Sequence, residues 1–192
     1  MDKNKEFTYS FLRQEMENLV ARQDNFFSMA FTTNVALWTI AVSIPNEWIV
    51  LLSLLLTFTF SLKICDIWRG TIFLSVYIQI CLEEEKTDGW ETIRDIYYRE
   101  ISTSSKKSIL HSFSKLSLPL LNIASCIIFW VLHGIDFYSW QNILLLGIQS
   151  IVCLTHSIIW YRNYDNPSVK DKMINNWSMV KQKYLENDVG DL

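Results

Sequence analysis

Residues 116–161 read LSLPLLNIASCIIFWVLHGIDFYSWQNILLLGIQSIVCLTHSIIWY, and Asp136 is their only Asp, Glu, Lys or Arg. The uncharged windows on either side, 116–135 and 137–161, are 20 and 25 residues long. A helix needs roughly 20 apolar residues to cross a bilayer's hydrocarbon. The pattern therefore predicts two membrane-crossing helices joined by a short turn through Gly134, Asp136 and Ser139. The same reading applies upstream. Residues 25–46 and 48–62 are also free of Asp, Glu, Lys and Arg, with Glu47 between them and Pro45 stopping the first helix. The second of these windows is the shortest, at 15 residues before Lys63. It spans if the Lys63 ammonium snorkels to the headgroups; a segment that dips in and returns is the alternative.

The expected fold is all-α: an integral membrane protein of two transmembrane helical hairpins, four spans in all, with cytoplasmic amphipathic helices. The organisation follows as a cytoplasmic helical lead (1–26), a first hairpin (27–65), a cytoplasmic helical connector (66–115), a second hairpin (116–161) and a cytoplasmic C-terminal helix (162–192). Half of the 192 residues are apolar and 14% aromatic, which excludes a disordered or fibrous chain. The N-terminal stretch is too long and too acidic for the start of a cleaved signal peptide and is expected to be retained.

Charge placement orients the spans. Four of the 17 Lys and Arg precede Asp24, eight lie between Lys63 and Lys115, five follow from Arg162, and the two short turns have none. Basic residues near spans stay on the cytoplasmic side, so both termini and the connector are expected inside. Trp48, Trp130, Tyr138, Trp140, Trp160 and Tyr161 fall near span ends and read as an interfacial aromatic belt. The two halves share a plan of lead, span, acidic turn, Trp and span; internal duplication and the common rules of helical hairpins both account for it.

Outside the spans, residues 70–82 are uncharged but short, reading as a packed or interfacial helix or as a continuation of the second span. Trp90, Ile93, Ile96, Tyr97 and Ile101 mark an amphipathic helix. Asn166 and Pro167 open a last helix whose Val169, Met173, Trp177, Val180 and Tyr184 form a partner-docking stripe. Being little more than two heptads, the stripe favours packing on the central helices over homotypic pairing.

Polar residues within the spans are the candidate site. Asn142, Gln149, Cys153 and His156 are spaced to share one face of the fourth span, and Asn122, Ser125, Cys126 and His133 form a comparable stripe on the third. Ser53, Thr57 and Ser61 repeat every four residues on the second, and Asn34 lies within the first. Two readings stand. The stripes line a water-accessible path in an oligomer, or they hydrogen-bond helix to helix, the commoner use of uncharged polar groups in spans.

Other chemistry is poorly provided for. The histidines at 111, 133 and 156 lack clustered metal-ligating partners, and the cysteines at 65, 81, 126 and 153 have no Cys-x-x-Cys spacing, so no metal or cofactor is assigned and the thiols are expected reduced. Glu83, Glu84 and Glu85 read as a solvated helix terminus, and Lys106, Lys107, His111 and Lys115 as a patch for anionic lipid. No nucleophile elbow, phosphate loop or zincin motif occurs, so an enzyme is not expected. No ionised group lies deep in a window, which argues against a proton-coupled exporter; a small transporter ranks third.

Arg13-Gln14-Glu15 and Arg22-Gln23 in the lead, then Tyr77-Ile78, the Glu83–Glu85 cluster and Gly89-Trp90-Glu91, form a pattern over the first half of the chain. It resembles the two- and four-span pore-forming membrane effectors of bacterial antiphage systems, including SLATT-type, retron and cyclic-nucleotide-signalled proteins. The resemblance implies an inner-membrane effector that permeabilises the membrane in abortive infection. Its partners would be the lipid bilayer, further copies of itself, and a cytoplasmic sensor such as a retron reverse transcriptase with its RNA–DNA product. The chain lacks a recognisable ligand-binding domain, so sensing falls to that partner and no direct nucleic-acid binding is expected. The rival reading is a membrane anchor or assembly subunit that recruits a soluble partner through its C-terminal helix.

Overall fold

The structure, a computed structural model, describes residues 3–44, 48–83, 109–134, 139–164 and 166–190. Those residues are helical almost throughout, with no strand among them. Helix α1 spans Lys3–Ser43, α2 Trp48–Tyr77, α3 Ile109–His133, α4 Trp140–Asn163 and α5 Pro167–Gly190; a π-helical turn, Ile78–Leu82, follows α2. Four of them, α1, α2 with its π turn, α3 and α4, are long and apolar enough to cross a membrane.

At 1.5 Å per residue the 41 residues of α1 extend about 60 Å, twice the hydrocarbon thickness. Its Lys, Arg, Asp and Glu all lie at or before Asp24, so the excess length is the polar N-terminal part. Helix α2 likewise continues past Lys63: no break separates residues 48–62 from 70–77, as the reading of the latter as a continuation expects. Lys63 pairs with Asp66 at 3.4 Å, an exposed i,i+3 contact on the same helix. The third apolar helix starts earlier than residue 116: α3 begins at Ile109 and carries Pro119 inside it. Gly134 ends α3 with φ +79°, a left-handed conformation that glycine adopts without a Cβ clash. Its N–H bonds the Trp130 carbonyl at 3.1 Å.

The residues divide into two compact units. One comprises residues 23–66 and 110–165, where α1, α2, α3 and α4 pack together. Antiparallel pairing is explicit in its contacts: Asn34 meets Thr57 and Trp38 meets Ser53 between α1 and α2, while Asn122 meets His156 and Trp130 meets Gln149 between α3 and α4. Two apolar clusters hold this unit. Ala30, Ile64, Cys65, Leu118, Leu121 and Trp160 form one, and Ala41, Val50 and Phe129 the other.

The second unit comprises residues 1–22, 67–109 and 166–192. Within it Leu19 of α1 approaches Gly70 of α2 so closely that a Cβ on Gly70 would meet Leu19 Cδ1 at 3.6 Å. Helix α5 starts on an Asn166 cap, whose Oδ1 accepts from the Ser168 N–H at 3.1 Å. It then docks by Trp177, whose indole lies 5.2 Å from the Phe73 ring and 5.0 Å from Tyr77. Lys181 Nζ donates to the Ile80 carbonyl at 2.9 Å. The last carbonyls of a helix lack intrahelical donors and carry its negative pole, so an ammonium there satisfies one of them and is favourably placed.

Two expectations are corrected in this unit. Glu83 is not part of a solvated terminus: it is buried and within 3.4 Å of the Tyr9 hydroxyl. The α5 stripe does not turn inward as a whole. Lys170, Met173, Ile174, Trp177 and Lys181 are half-buried, whereas Val180 is 55% exposed. The docked seam follows the Lys181 side of Trp177, because that side supplies the donor for Ile80. Val169 lies half-buried at its edge, and the Tyr184 side chain lies outside the described residues. The amphipathic helix expected over Trp90–Ile101, the side chains of the basic patch and Tyr138 also lie outside them.

Candidate functional site

In the first unit large apolar side chains face outward, and polar side chains are buried beside the apolar clusters. Leu55, Ile127, Val131, Ile151 and Leu154 point outward, while Asn34, Ser53, Thr57, Ser61, Asn122, Ser125, Gln149 and His156 are buried between the helices. Large apolar residues outside and polar residues inside is the pattern expected of helices solvated by lipid. A water-solvated bundle would lose hydrophobic stabilisation on both counts.

The buried polar groups form a ladder. At one end His133 Nε2 lies 3.2 Å from Asn142 Oδ1, with the Trp48 and Phe129 rings packed on the imidazole. Next, Trp130 Nε1 donates to Gln149 Oε1 at 2.7 Å. One turn further, the Cys126 and Cys153 sulfurs face each other at 3.5 Å. At a similar level Trp38 Nε1 donates to Ser125 Oγ at 3.1 Å, and Ser53 Oγ lies 2.8 Å from Ser125 Oγ. Asn34 Nδ2 then donates to Thr57 Oγ1 at 2.9 Å and to its own helix at the Ala30 carbonyl. His156 bridges Ser61 and Asn122 at 2.6 and 2.7 Å. The far end is aromatic: Phe27 meets Trp160 and Tyr164 edge-on, and Gln23 Nε2 donates to the Tyr164 hydroxyl at 3.1 Å.

Small side chains allow this closeness. Ser53, Thr57 and Ser61 each bond a carbonyl three or four residues back on α2, at 2.6 to 2.7 Å. A hydroxyl has one proton and two lone pairs, so giving the proton to its own helix leaves the oxygen an acceptor for neighbours. Ser61 illustrates the consequence. With its proton on the Thr57 carbonyl, it accepts from His156 Nε2, and His156 Nδ1 accepts the Asn122 amide N–H. That polarity is the reverse of a nucleophile and its base.

Of the span residues singled out from the sequence, Asn34, Asn122, His133, Asn142, Gln149, Cys153 and His156 each lie against a polar group of another helix. Trp130 and Trp160, expected in the interfacial belt, make contacts within the unit. Trp160 is buried, and Trp130 spends its N–H on Gln149. Trp48, Trp140 and Tyr161 remain exposed. The contribution of Trp38 was not read from the sequence, since an isolated Trp in an apolar run gives no periodicity to identify its partner.

Two groups in the ladder keep unspent capacity. Asn122 Oδ1 and Gln149 Nε2 are buried without a hydrogen-bond partner among the described residues. A buried amide atom left unpaired costs about 1–3 kcal/mol, so each calls for a water or a further polar group as partner. Among the described residues no group of three His, Cys, Asp or Glu is placed to hold a metal ion.

No protein family, curated protein or solved structure matches this chain.

Proposed function

We propose that this protein is a bacterial inner-membrane effector of an antiphage, abortive-infection system. Its four apolar helices cross the bilayer as two hairpins, with both termini and the connector in the cytoplasm. A cytoplasmic sensor holds it quiet, and a retron reverse transcriptase with its RNA–DNA product is the sensor the sequence resemblance implies. On release, copies assemble and the helices exchange ladder partners for water, so that the membrane leaks.

The observation that supports this reading is the polar ladder. A closed lipid-facing bundle gains little from burying Asn122 and Gln149 with unpaired amide atoms. A bundle that opens along α3 and α4 would hydrate both. The basic residues at the two termini and in the connector support the orientation.

The test is to express the chain alone and with its genomic neighbours, trigger the system, and follow dye entry and membrane potential. Depolarisation accompanying growth arrest is expected. Intact, polarised membranes during triggered arrest would eliminate the mechanism.

The anchor reading has one observation in its favour. Met179 and Val180 of α5 are each 55% exposed while Trp177 is docked, leaving an outward apolar edge for a soluble partner. An anchor tolerates overexpression and loses its partner when α5 is removed; an effector depolarises cells.

A further inference from the structure

We propose that Cys126 and Cys153 are a redox-modification site, which hydroperoxides oxidise to an intramolecular disulfide joining α3 to α4. Their sulfurs lie 3.5 Å apart, and a disulfide bond is about 2.05 Å long, so closure requires a movement of about 1.5 Å. The register that brings them together is fixed on both sides. Asn122 and His156 pair one turn away in one direction, Trp130 and Gln149 one turn away in the other. The two thiols therefore face each other as part of the ladder and not through a chance side-chain rotation.

Proximity singles out this pair, and access permits it; Cys81 is half-buried too, but among the described residues no other cysteine is shown facing it. Both thiols are half-buried, and their chain neighbours Ile127 and Leu154 are 59% and 63% exposed on the apolar outer surface. Cys65, by contrast, is buried in the apolar cluster with Ala30 and Trp160. A small peroxide or a lipid hydroperoxide is the oxidant that a partly exposed thiol pair beside an apolar surface would meet.

The chemistry balances with one hydroperoxide, ROOH. One cysteine sulfur attacks the peroxide oxygen, the O–O bond breaks, and ROH leaves with the thiol's proton, producing a sulfenic acid. The second sulfur attacks the sulfenic sulfur, the S–O bond breaks, and hydroxide leaves with the second thiol's proton as water. The two thiols lose two electrons and the peroxide gains them. The product fastens α3 to α4 at mid-seam and closes a loop through the turn after Gly134. The site depends on the packing of α3 and α4 alone, not on the effector function.

The experiment uses the full-length reduced protein in liposomes, treated in separate arms with hydrogen peroxide and with a fatty-acid hydroperoxide. Remaining thiols are then alkylated, and the digest is read by mass spectrometry. Two of the four thiols are expected to escape alkylation, with a peptide pair joined at Cys126 and Cys153 that dithiothreitol separates. Faster reaction in the fatty-acid arm assigns the oxidant to the bilayer, and faster reaction with hydrogen peroxide assigns it to water; both support the site. The Cys126→Ser and Cys153→Ser variants should each abolish the joined pair, and one of the two should leave its remaining thiol trappable as a sulfenic acid. Equal alkylation of all four thiols after both peroxides, or a bridge joining other cysteines or separate chains, overturns the proposal.

Discussion

Asn122 on α3 donates its amide N–H to Nδ1 of His156 on α4 at 2.7 Å, and the opposite ring nitrogen lies 2.6 Å from Ser61 on α2. One imidazole thus ties three helices together at a buried position. Polar contacts between apolar helices are worth about 0.6 kcal/mol each on average and up to about 1.7. His156→Leu loses two of them, so it is expected to destabilise the detergent-solubilised protein by about 1–2 kcal/mol in reversible unfolding. A double-mutant cycle with Asn122→Leu should return a coupling of about 1 kcal/mol. A coupling near zero would show that the bridge contributes nothing.

Gln149 and Trp130 provide a contrasting case, because the Gln149 amide carries both a made bond and an unpaired N–H. Gln149→Leu removes the orphan together with the bond and strands only the Trp130 N–H. Its stability cost is therefore expected to be smaller than that of Trp130→Leu, which leaves the whole Gln149 amide buried without a partner. Side-by-side thermal unfolding of the two variants checks the order. In the triggered cells, Gln149→Leu should also reduce dye entry if the ladder lines the leak.

Docking of α5 rests on Trp177 and Lys181. Trp177→Ala removes ring contacts with Phe73 and Tyr77 worth about 2 kcal/mol, so opening of α5 should rise more than tenfold. Limited proteolysis of the C-terminal helix reads this directly. Lys181→Met keeps the stem but loses the Ile80 bond, and faster hydrogen exchange around residues 78–83 is the expected mark.

Gly134 tolerates a φ of +79° only for want of a Cβ. Gly134→Ala is expected to cost about 1 kcal/mol through the strained backbone, even though no atom lies near the added methyl. Gly70 behaves differently. An added Cβ there meets Leu19 at ordinary contact distance, so Gly70→Ala should be tolerated and Gly70→Leu should not. Unfolding of the three variants separates backbone strain from crowding.

The helices over residues 27–44, 116–133 and 140–161 were legible because long uncharged runs bounded by Pro45, Gly134 and Asp136 leave few alternatives in lipid. The continuation of α2 through Lys63 and Arg69 was legible only as one of two readings of residues 70–82, since scattered charges end an apolar window without ending a helix. The polar stripes were visible as spacing, which places side chains on a face but does not name their partners. Glu83 was misread for the same reason: three consecutive acids look solvated until Tyr9 is seen against one of them.

Composition and order along the chain determined that this protein is helical, how many of its segments are apolar enough to cross a bilayer, and which residues stand out within them. Those properties follow from backbone hydrogen bonding and side-chain transfer free energy, both local to a segment. Only the tertiary structure decided that Trp38 meets Ser125, that His156 bridges two helices, that Cys126 faces Cys153 and that Val180 turns away from the docked face of α5. Contacts between helices depend on rotation and register, and a shift of one residue turns a helical face by about 100°.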